Sequence, residues 1–281
     1  MRRWYIVFFV SLLVIFFGWI YAASRHPYVA AHVSLESEVR ATVRSPAPVA
    51  SSSEPTVRVP ILIYHSVRPD FGGQTKSQTE YSVTPEELDA ELAYIHSHGY
   101  TVISLDELQK DILTGTTSPV AKPVVLTFDD GWKNEFEYAL PILKKYNDTA
   151  TFFIFTNPIG RDKRFMTWDD VHVLESAGMT IGAHSLSHPY FPKLTPEEMR
   201  REVADSKKTL ETHLGHPVLH FATPFGFTSP QLVTILQESG FTTGRTTYWG
   251  ATHSASDVMK LSGYLVERDM KKYAWVLEKA K

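Results

Sequence analysis

The chain has 281 residues, with 28 Lys and Arg against 31 Asp and Glu, and a formal net charge of -3. This balance gives no electrostatic reason to expect a nucleic acid or another strongly anionic partner. The sequence contains no cysteine, which excludes disulfides, thiolate metal ligands and cysteine nucleophiles. Any metal site must therefore be built from His, Asp and Glu.

The first 23 residues predict a membrane-spanning helix. Arg2 and Arg3 precede an apolar run over residues 6–23, which is close to the roughly 20 residues that a spanning helix needs. The basic residues ahead of it predict a cytoplasmic N-terminus and an extracytoplasmic body. Because the bulky Tyr21 makes a poor cleavage site, we expect a single-pass anchor in the cell membrane; the alternative is a cleaved signal and a secreted protein.

A flexible linker is predicted for residues 24–57, and a folded domain for residues 58–281. The linker is rich in Ala, Ser, Val and Pro, and its stretch from Ser45 to Ser53 is of low complexity. Such a segment cannot bury enough apolar surface to fold, so we expect a disordered tether. It would hold the domain away from the membrane surface.

Strand-like and helix-like stretches alternate through the folded domain. The predicted strands span residues 59–65, 100–105, 124–130, 149–155, 179–184, 220–225, 241–247 and 261–266. Between them, Ser/Thr-initiated capping boxes and stop glycines delimit helices, including one predicted over 132–146. This order predicts an α/β fold with a parallel sheet, and the strand count favours a distorted (β/α) barrel of about seven or eight strands over an open sheet.

Two adjacent carboxylates end the most apolar of these strands. Asp129 and Asp130 follow Val-Val-Leu-Thr-Phe and precede Gly131, so they lie where chemistry collects in barrels and open α/β sheets. Adjacent acids repel one another, and a cation or a shared proton makes the pair tolerable. An ordinary Asp-Asp-Gly turn is the alternative explanation for the dipeptide on its own.

Histidines at other strand ends complete a candidate site. His184 ends one strand and His188 follows four residues later, a spacing that brings two imidazoles to one side of a turn. Two histidines and one carboxylate form a ligand set that leaves positions open for water and substrate. One Asp can then bind the metal while its neighbour stays free as a base, and His65, which ends the first strand, is a candidate general acid.

These residues together resemble the polysaccharide deacetylases, the NodB-like domain of carbohydrate esterase family four. Thr127-Phe128-Asp129-Asp130-Gly131 matches the first motif of that family, and His184-Ser185-Leu186-Ser187-His188 matches the second. The segment from Phe221 to Gly226 is similar to the third motif, in which an arginine is followed closely by a proline and an aromatic residue. The resemblance covers roughly residues 58–270.

The resemblance implies a role for each site residue. Asp129 would be the general base, and Asp130, His184 and His188 would bind a divalent metal, zinc in most of the family. The backbone N–H of Phe225 would help to hold the tetrahedral oxyanion. Pro224, Phe225 and, as an aromatic face suited to sugar rings, Trp168 are the candidate substrate-binding residues; a packed tryptophan at a helix start is the alternative for Trp168.

The sequence departs from the family pattern at two places. Ala222 stands where the third motif has the arginine that orients the catalytic Asp, and no terminal L-x-H motif supplies the acid. Both departures, with the N-terminal Ile63-Tyr64-His65-Ser66, resemble the permuted subgroup that de-N-acetylates poly-β-1,6-N-acetylglucosamine, in which the first strand brings the acid histidine. By that resemblance the acid here is His65.

The expected function is metal-dependent removal of N-acetyl groups from an N-acetylglucosamine-containing polysaccharide, namely the exopolysaccharide poly-β-1,6-N-acetylglucosamine. Peptidoglycan is the alternative substrate, and a carbohydrate-binding barrel without activity is the alternative from another class. A free base beside three ligands argues against binding alone. A metal-dependent phosphoesterase is disfavoured because no Arg/Lys cluster accompanies the motifs.

Overall fold

The computed structural model describes residues 54–75, 79–116 and 119–279. The predicted anchor over residues 1–23 and the predicted linker, apart from its last four residues, lie outside these ranges. Within the described ranges, no helix is long and apolar enough to cross a membrane. The described residues form one compact unit.

Twelve short strands are present in the described part of the chain. They are β1 (Thr56–Arg58), β2 (Ile61–Tyr64), β3 (Ser66–Val67), β4 (Ser82–Val83), β5 (Thr101–Val102), β6 (Pro123–Asp130), β7 (Thr151–Ile154), β8 (Thr180–Ala183), β9 (His220–Ala222), β10 (Thr243–Arg245), β11 (Thr252–Ser254) and β12 (Tyr264–Leu265). Eight of them form a parallel sheet in the order β10-β9-β8-β7-β6-β2-β12, with β5 also paired to β6. The predicted parallel α/β architecture is confirmed.

One segment joins the two edges of this sheet. Leu261 lies beside β10, donating its N–H to Gly244 and accepting the N–H of Thr246. Three residues later, Tyr264 pairs with Leu62 of β2. The same stretch therefore contacts β10 first and β2 next, which curls the parallel sheet into a half-barrel that fits the predicted distorted (β/α) barrel.

Seven α-helices pack around the sheet in the described residues: α1 (Pro85–Ser97), α2 (Leu105–Thr114), α3 (Leu140–Tyr146), α4 (Trp168–Ser176), α5 (Pro196–Leu214), α6 (Pro230–Glu238) and α7 (Met270–Lys279). The predicted capping boxes are present at the starts of α1, α2, α4 and α5. In each box, the side chain of a Ser or Thr accepts a hydrogen bond from the backbone N–H three residues later. The acidic side chain at that later residue accepts the backbone N–H of the Ser or Thr.

The helix predicted over residues 132–146 is shorter than expected. The structure has a π-helical turn over Glu135–Ala139, and the α-helix begins only at Leu140. Pro141 explains the difference, because a proline inside a helix has no N–H to donate and its ring clashes with the carbonyl four residues earlier. The wider π turn absorbs this defect ahead of α3.

The folded body begins with a strand that the sequence pattern did not identify. β1 starts at Thr56, two residues before the predicted start of the domain, and pairs antiparallel with β11. Its partner lies almost two hundred residues away in the chain, with Thr56 opposite Ser254. Such short, distant pairs leave no periodic signal in either segment.

Candidate active site

The predicted site residues converge at the carboxyl ends of the parallel strands. Asp129 and Asp130 are the last residues of β6, where they pair in register with Phe153 and Ile154 of β7. His184 follows β8 directly, and His65 follows β2. Because β2, β6, β7 and β8 are neighbours in the sheet, their ends bring residues far apart in the chain to one edge.

Asp130, His184 and His188 form a compact set of potential metal ligands. One ligand atom from each lies within 4.8 Å of the other two. The Asp130 Oδ1 atom is 3.5 Å from His184 Nε2 and 3.3 Å from His188 Nε2. This buried oxygen has no hydrogen-bond partner in the structure, which is costly for a carboxylate unless a cation occupies the space beside it.

Hydrogen bonds behind the ligands fix their orientation. His184 Nδ1 lies 2.7 Å from the carbonyl oxygen of Ala222, so Nδ1 carries the proton and Nε2 is left free toward Asp130. The indole Nε1–H of Trp132 donates to Asp130 Oδ2 over 2.9 Å. That bond engages one carboxylate oxygen and leaves Oδ1 available to a metal ion.

The loop between the two histidines is held from α5. The Glu202 carboxylate accepts the N–H groups of Leu186 and Ser187 and the hydroxyl of Ser187. Within the loop, the Ser185 hydroxyl accepts the N–H of His188 over 2.9 Å. These bonds stabilise a conformation in which His188 has a φ of 58°, in the left-handed region that non-glycine residues rarely adopt.

The protonation states at the site suit metal binding. Burial favours the protonated acid, but the surrounding imidazoles, led by His184, outweigh it and hold the pKa of Asp130 well below its usual range. Burial, followed by the charge of His184, lowers the pKa of His188 to about 4. At neutral pH Asp130 is therefore ionised and His188 is neutral, as ligands must be.

Asp129 lies beside the ligand set but makes different contacts. Its side chain is almost fully buried, and His65 Nε2 is 3.9 Å from its Oδ2 atom. The other neighbour is Arg245, the last residue of β10, whose Nη2 donates to both carboxylate oxygens of Asp129. The two acids are thus separated in surroundings, with Asp130 facing imidazoles and Asp129 facing a guanidinium group.

Arg245 is the site residue that sequence reasoning missed. Its side chain is fully buried, and charged residues are almost never buried without a partner. Arg245 lies near the C-terminal end of the strand predicted over residues 241–247, as Asp129 and His184 lie near the ends of theirs, and this similar position was the signal that could have identified it.

The third-motif segment forms one wall of the site. Phe225 has a φ of 58°, its side chain is 62% exposed, and its ring centroid lies 4.8 Å from that of His188. Pro224 beside it is buried. A Cβ added to Gly226 would lie 2.0 Å from Thr247 Oγ1, so the loops after β9 and β10 are packed closely together.

Trp168 and two further buried histidines, His220 and His253, pack against or hydrogen-bond to other residues. The Trp168 ring stacks on His213 of α5 at a centroid distance of 3.6 Å, a contact of the kind expected of a packed tryptophan at a helix start. His253 is buried with Nε2 2.9 Å from the Val59 carbonyl. His220 is held between Thr243 and Asp106. Among the described residues, these hydrogen bonds and ring contacts do not involve Asp130, His184 or His188.

The donor set and the unpartnered Asp130 Oδ1 fit a divalent metal ion. Two imidazole nitrogens and one carboxylate oxygen occupy one side of a potential coordination sphere, which leaves positions for water and substrate. A separate buried carboxylate and a histidine stand beside it. This arrangement can support hydrolysis of an acyl group, with metal, base and acid contributed by different elements.

Sequence comparison relates this chain to known polysaccharide deacetylases. The sequence profile of the polysaccharide deacetylase family matches residues 116–244. A putative polysaccharide deacetylase of Bacillus subtilis (strain 168), YxkH, is 30% identical over 199 residues, covering 71% of this chain and 68% of that protein. The poly-β-1,6-N-acetyl-D-glucosamine N-deacetylase of Staphylococcus aureus (strain MSSA476) is 25% identical over 205 residues, covering 65% of this chain and 70% of that protein.

The fold comparison points the same way. The structure of the Streptococcus pyogenes deacetylase PplD in complex with acetate superposes with a TM-score of 0.73 at 26% identity, covering 79% of this chain and 98% of that one. Motifs, fold and sequence similarity therefore agree, and the chain belongs to the polysaccharide deacetylase family.

Proposed function

We propose that this protein is a metal-dependent N-deacetylase of poly-β-1,6-N-acetylglucosamine, with zinc as its metal. The observation that carries the proposal is that the two adjacent acids, Asp129 and Asp130, contact different groups. Asp130 shares its free oxygen with two imidazoles, whereas Asp129 is kept apart, beside His65. A binding protein has no need of a separate buried base next to a metal site.

Asp130, His184 and His188 would hold the metal. When bound there, a divalent cation would supply Lewis acidity toward the acetyl carbonyl and the attacking water. Asp129 accepts the proton of the water that attacks the carbonyl carbon. The N–H of Phe225 donates to the oxygen that becomes negatively charged.

His65 is the proposed general acid. It approaches Asp129 from β2, the opposite side from the β8 histidines, because β2 and β8 flank the β6-β7 pair in the sheet. A protonated His65 gives its proton to the amide nitrogen as the C–N bond breaks, which releases acetate and a free amine. This supplies the proton that the absent terminal motif would otherwise provide.

Exposed aromatic rings lie beside the site and on the neighbouring loop after β10, and such rings suit a polysaccharide. Tyr190 and Phe225 contact each other with ring centroids 5.9 Å apart and are 50% and 62% exposed. On the loop packed against Gly226, Tyr248 and Trp249 are 54% and 53% exposed. Aromatic faces along a rim offer stacking surfaces for successive sugar rings. The name of the staphylococcal relative motivates the choice of the β-1,6-linked polymer.

The proposed location follows from the N-terminal sequence alone. We propose that residues 1–23 anchor the protein in the cell membrane and that the catalytic domain acts outside the cytoplasm. Fractionation of cells that produce the full chain, followed by protease treatment of intact spheroplasts, tests this. A protein found in the medium without its first residues would favour the cleaved alternative.

Acetate release from N-acetylglucosamine oligomers is the direct test of the activity. The purified protein is assayed with β-1,6-linked and β-1,4-linked oligomers, before and after chelation and zinc restoration. We expect a preference for β-1,6 oligomers, loss of activity on chelation, and loss in the isosteric Asp129→Asn variant. Asp169→Asn, at an exposed position on α4, is the matched control.

Each rival function predicts a different result. Preference for β-1,4 oligomers would favour peptidoglycan as substrate. Oligomer binding without acetate release would favour the carbohydrate-binding barrel. Activity that survives chelation, or an Asp129→Asn variant as active as the parent, would contradict the proposed mechanism.

A further inference from the structure

Arg245 and Ala222 occupy equivalent positions on neighbouring strands. In the parallel pairing of β10 with β9, Arg245 lies directly opposite Ala222. Ala222 is also the position at which the third motif has an arginine in other family members. A guanidinium group is therefore present at the same register position of the sheet, but it comes from Arg245 on the adjacent strand β10 and not from β9.

The environment of Arg245 leaves its side chain few alternatives. It is among the largest fully buried side chains of the described structure. Nη2 donates to both oxygens of Asp129, and Nη1 donates to the Thr246 carbonyl over 3.3 Å. The guanidinium carbon lies 5.1 Å from the centroid of the Phe153 ring, next to Asp129 in the β6-β7 pairing. A rigid planar fork between such contacts restricts rotation of the carboxylate it binds.

Arg245 also supplies the charge that the acidic pair lacks. Asp129 and Asp130 are adjacent carboxylates at a largely buried strand end, and their mutual repulsion has to be offset on both sides. At Asp130 a divalent cation held by the candidate ligand set would do this. At Asp129 the permanent cation is Arg245, since a histidine carries charge only when protonated.

We infer that Arg245 is the positioning residue of the catalytic base Asp129. From β10, it takes the place of the motif arginine that is missing at position 222 of β9. Its guanidinium group fixes the Asp129 carboxylate in the orientation from which the carboxylate accepts a proton. The inference rests on the role of Asp129 in the proposed function. It concerns a residue that acts through Asp129 and does not touch the reacting atoms.

A purely structural ion pair is the competing explanation. Buried ion pairs often contribute little net stability, and breaking one by removing a partner is strongly destabilising. Loss of activity in one Arg245 variant would therefore not separate the two explanations. Moving the guanidinium group back to the neighbouring strand does separate them, because it restores the orientation of Asp129 without restoring the native packing around position 245.

Four variants form the experiment: Arg245→Met, Arg245→Lys, Arg245→Ala, and the double variant Arg245→Ala/Ala222→Arg. Each is measured for kcat and KM on acetylated oligomers and on 4-nitrophenyl acetate, a substrate that does not depend on the polymer. Zinc affinity by chelator competition and Tm are measured on the same samples. Asp129→Asn is included throughout.

We expect Arg245→Met to lower kcat about 100-fold, the order of loss that misplacing a catalytic group produces, with KM and zinc affinity close to those of the parent. Arg245→Lys should retain more activity than Arg245→Met, because it keeps the charge but not the fork. The double variant should recover at least about tenfold in kcat over Arg245→Ala, even where its Tm stays low.

Two results would overturn the inference. One is parent-like kcat in Arg245→Met while Asp129→Asn is inactive. The other is a double variant that binds zinc but is no more active than Arg245→Ala. An active Asp129→Asn variant is a different failure, since it removes the assigned base and with it the proposed mechanism. If Arg245→Met does not fold, Arg245→Lys and the double variant decide the question by the same comparison.

Discussion

Replacing Glu91 with glutamine should stabilise the protein, and increasingly so as the pH rises. Glu91 lies on α1 with 1% of its surface exposed, and its Oε2 atom has no hydrogen-bond partner in the structure. Burial raises the pKa of this carboxyl from 4.5 to about 8, with the Tyr64 hydroxyl only partly opposing the effect. Tyr64 in turn donates to Tyr273 over 3.3 Å, so the acid lies in a small buried cluster of hydroxyl groups.

The size and sign of the effect follow from proton linkage. The folded protein binds the Glu91 proton more tightly than the unfolded chain, so the stability that this proton contributes is complete below pH 4.5 and is lost as the pH rises toward 8. One pH unit in this window is worth about 1.4 kcal/mol. At pH 7 the loss amounts to about 3 kcal/mol, a large fraction of the stability of an ordinary domain. Glutamine stays neutral at every pH and avoids this loss.

Urea unfolding followed by tryptophan fluorescence between pH 4.5 and 8 measures the effect. The difference in unfolding free energy between Glu91→Gln and the parent should grow with pH by about 1.4 kcal/mol per unit. Glu86→Gln, at an exposed position on the same helix, is the matched control and should show no such growth. A Glu91→Gln difference that is the same at pH 4.5 and pH 8 would refute the reasoning.

Three further predictions concern the site and its rim. Zinc at 100 times its Kd should stabilise the metal-free protein by about 2.7 kcal/mol, measured as a rise in Tm, and His188→Ala should abolish the rise; an equal rise in that variant would exclude His188 as a ligand. Gly226→Ala should lower both kcat and stability, because Gly226 has a φ of +70° and the new Cβ would lie 2.0 Å from Thr247 Oγ1. The control is Gly215→Ala, at a φ of +78° with open space around it, which carries only the backbone cost and should leave kcat unchanged. Trp249→Ala should raise KM for long oligomers but not for 4-nitrophenyl acetate, and equal effects on both substrates would rule out a role in polymer binding.

Local sequence signals identified most of the helices and predicted the three side chains of the candidate metal-ligand set, which the structure brings together. A capping box is complete within four residues, as at Thr84 and Thr195, so its effect on structure is independent of distant contacts. Asp130, His184 and His188 were accessible because strand ends in a parallel sheet share one edge. The chain positions of these residues were therefore enough to predict their convergence.

Contacts between residues that are far apart in the chain could not be predicted from local sequence signals. The contact of Arg245 with Asp129 joins residues 116 positions apart, and the sequence alone does not state which strands are neighbours. The β1–β11 pair was missed for the same reason. The π turn before α3 is a different case, since Pro141 was visible in the sequence and its effect on a continuous helix could have been anticipated.

The left-handed backbone at the site implies a trade-off between stability and function. Asp130, His188 and Phe225 have φ values of 86°, 58° and 58°, and each such residue costs on the order of 1 kcal/mol or more relative to glycine. Glycine at any of the three positions would relieve that strain, and at Asp130 or His188 it would remove a side chain of the candidate metal-ligand set. The site therefore keeps a strained backbone that stability alone does not favour, which is the trade-off expected where side chains are held in place for a function.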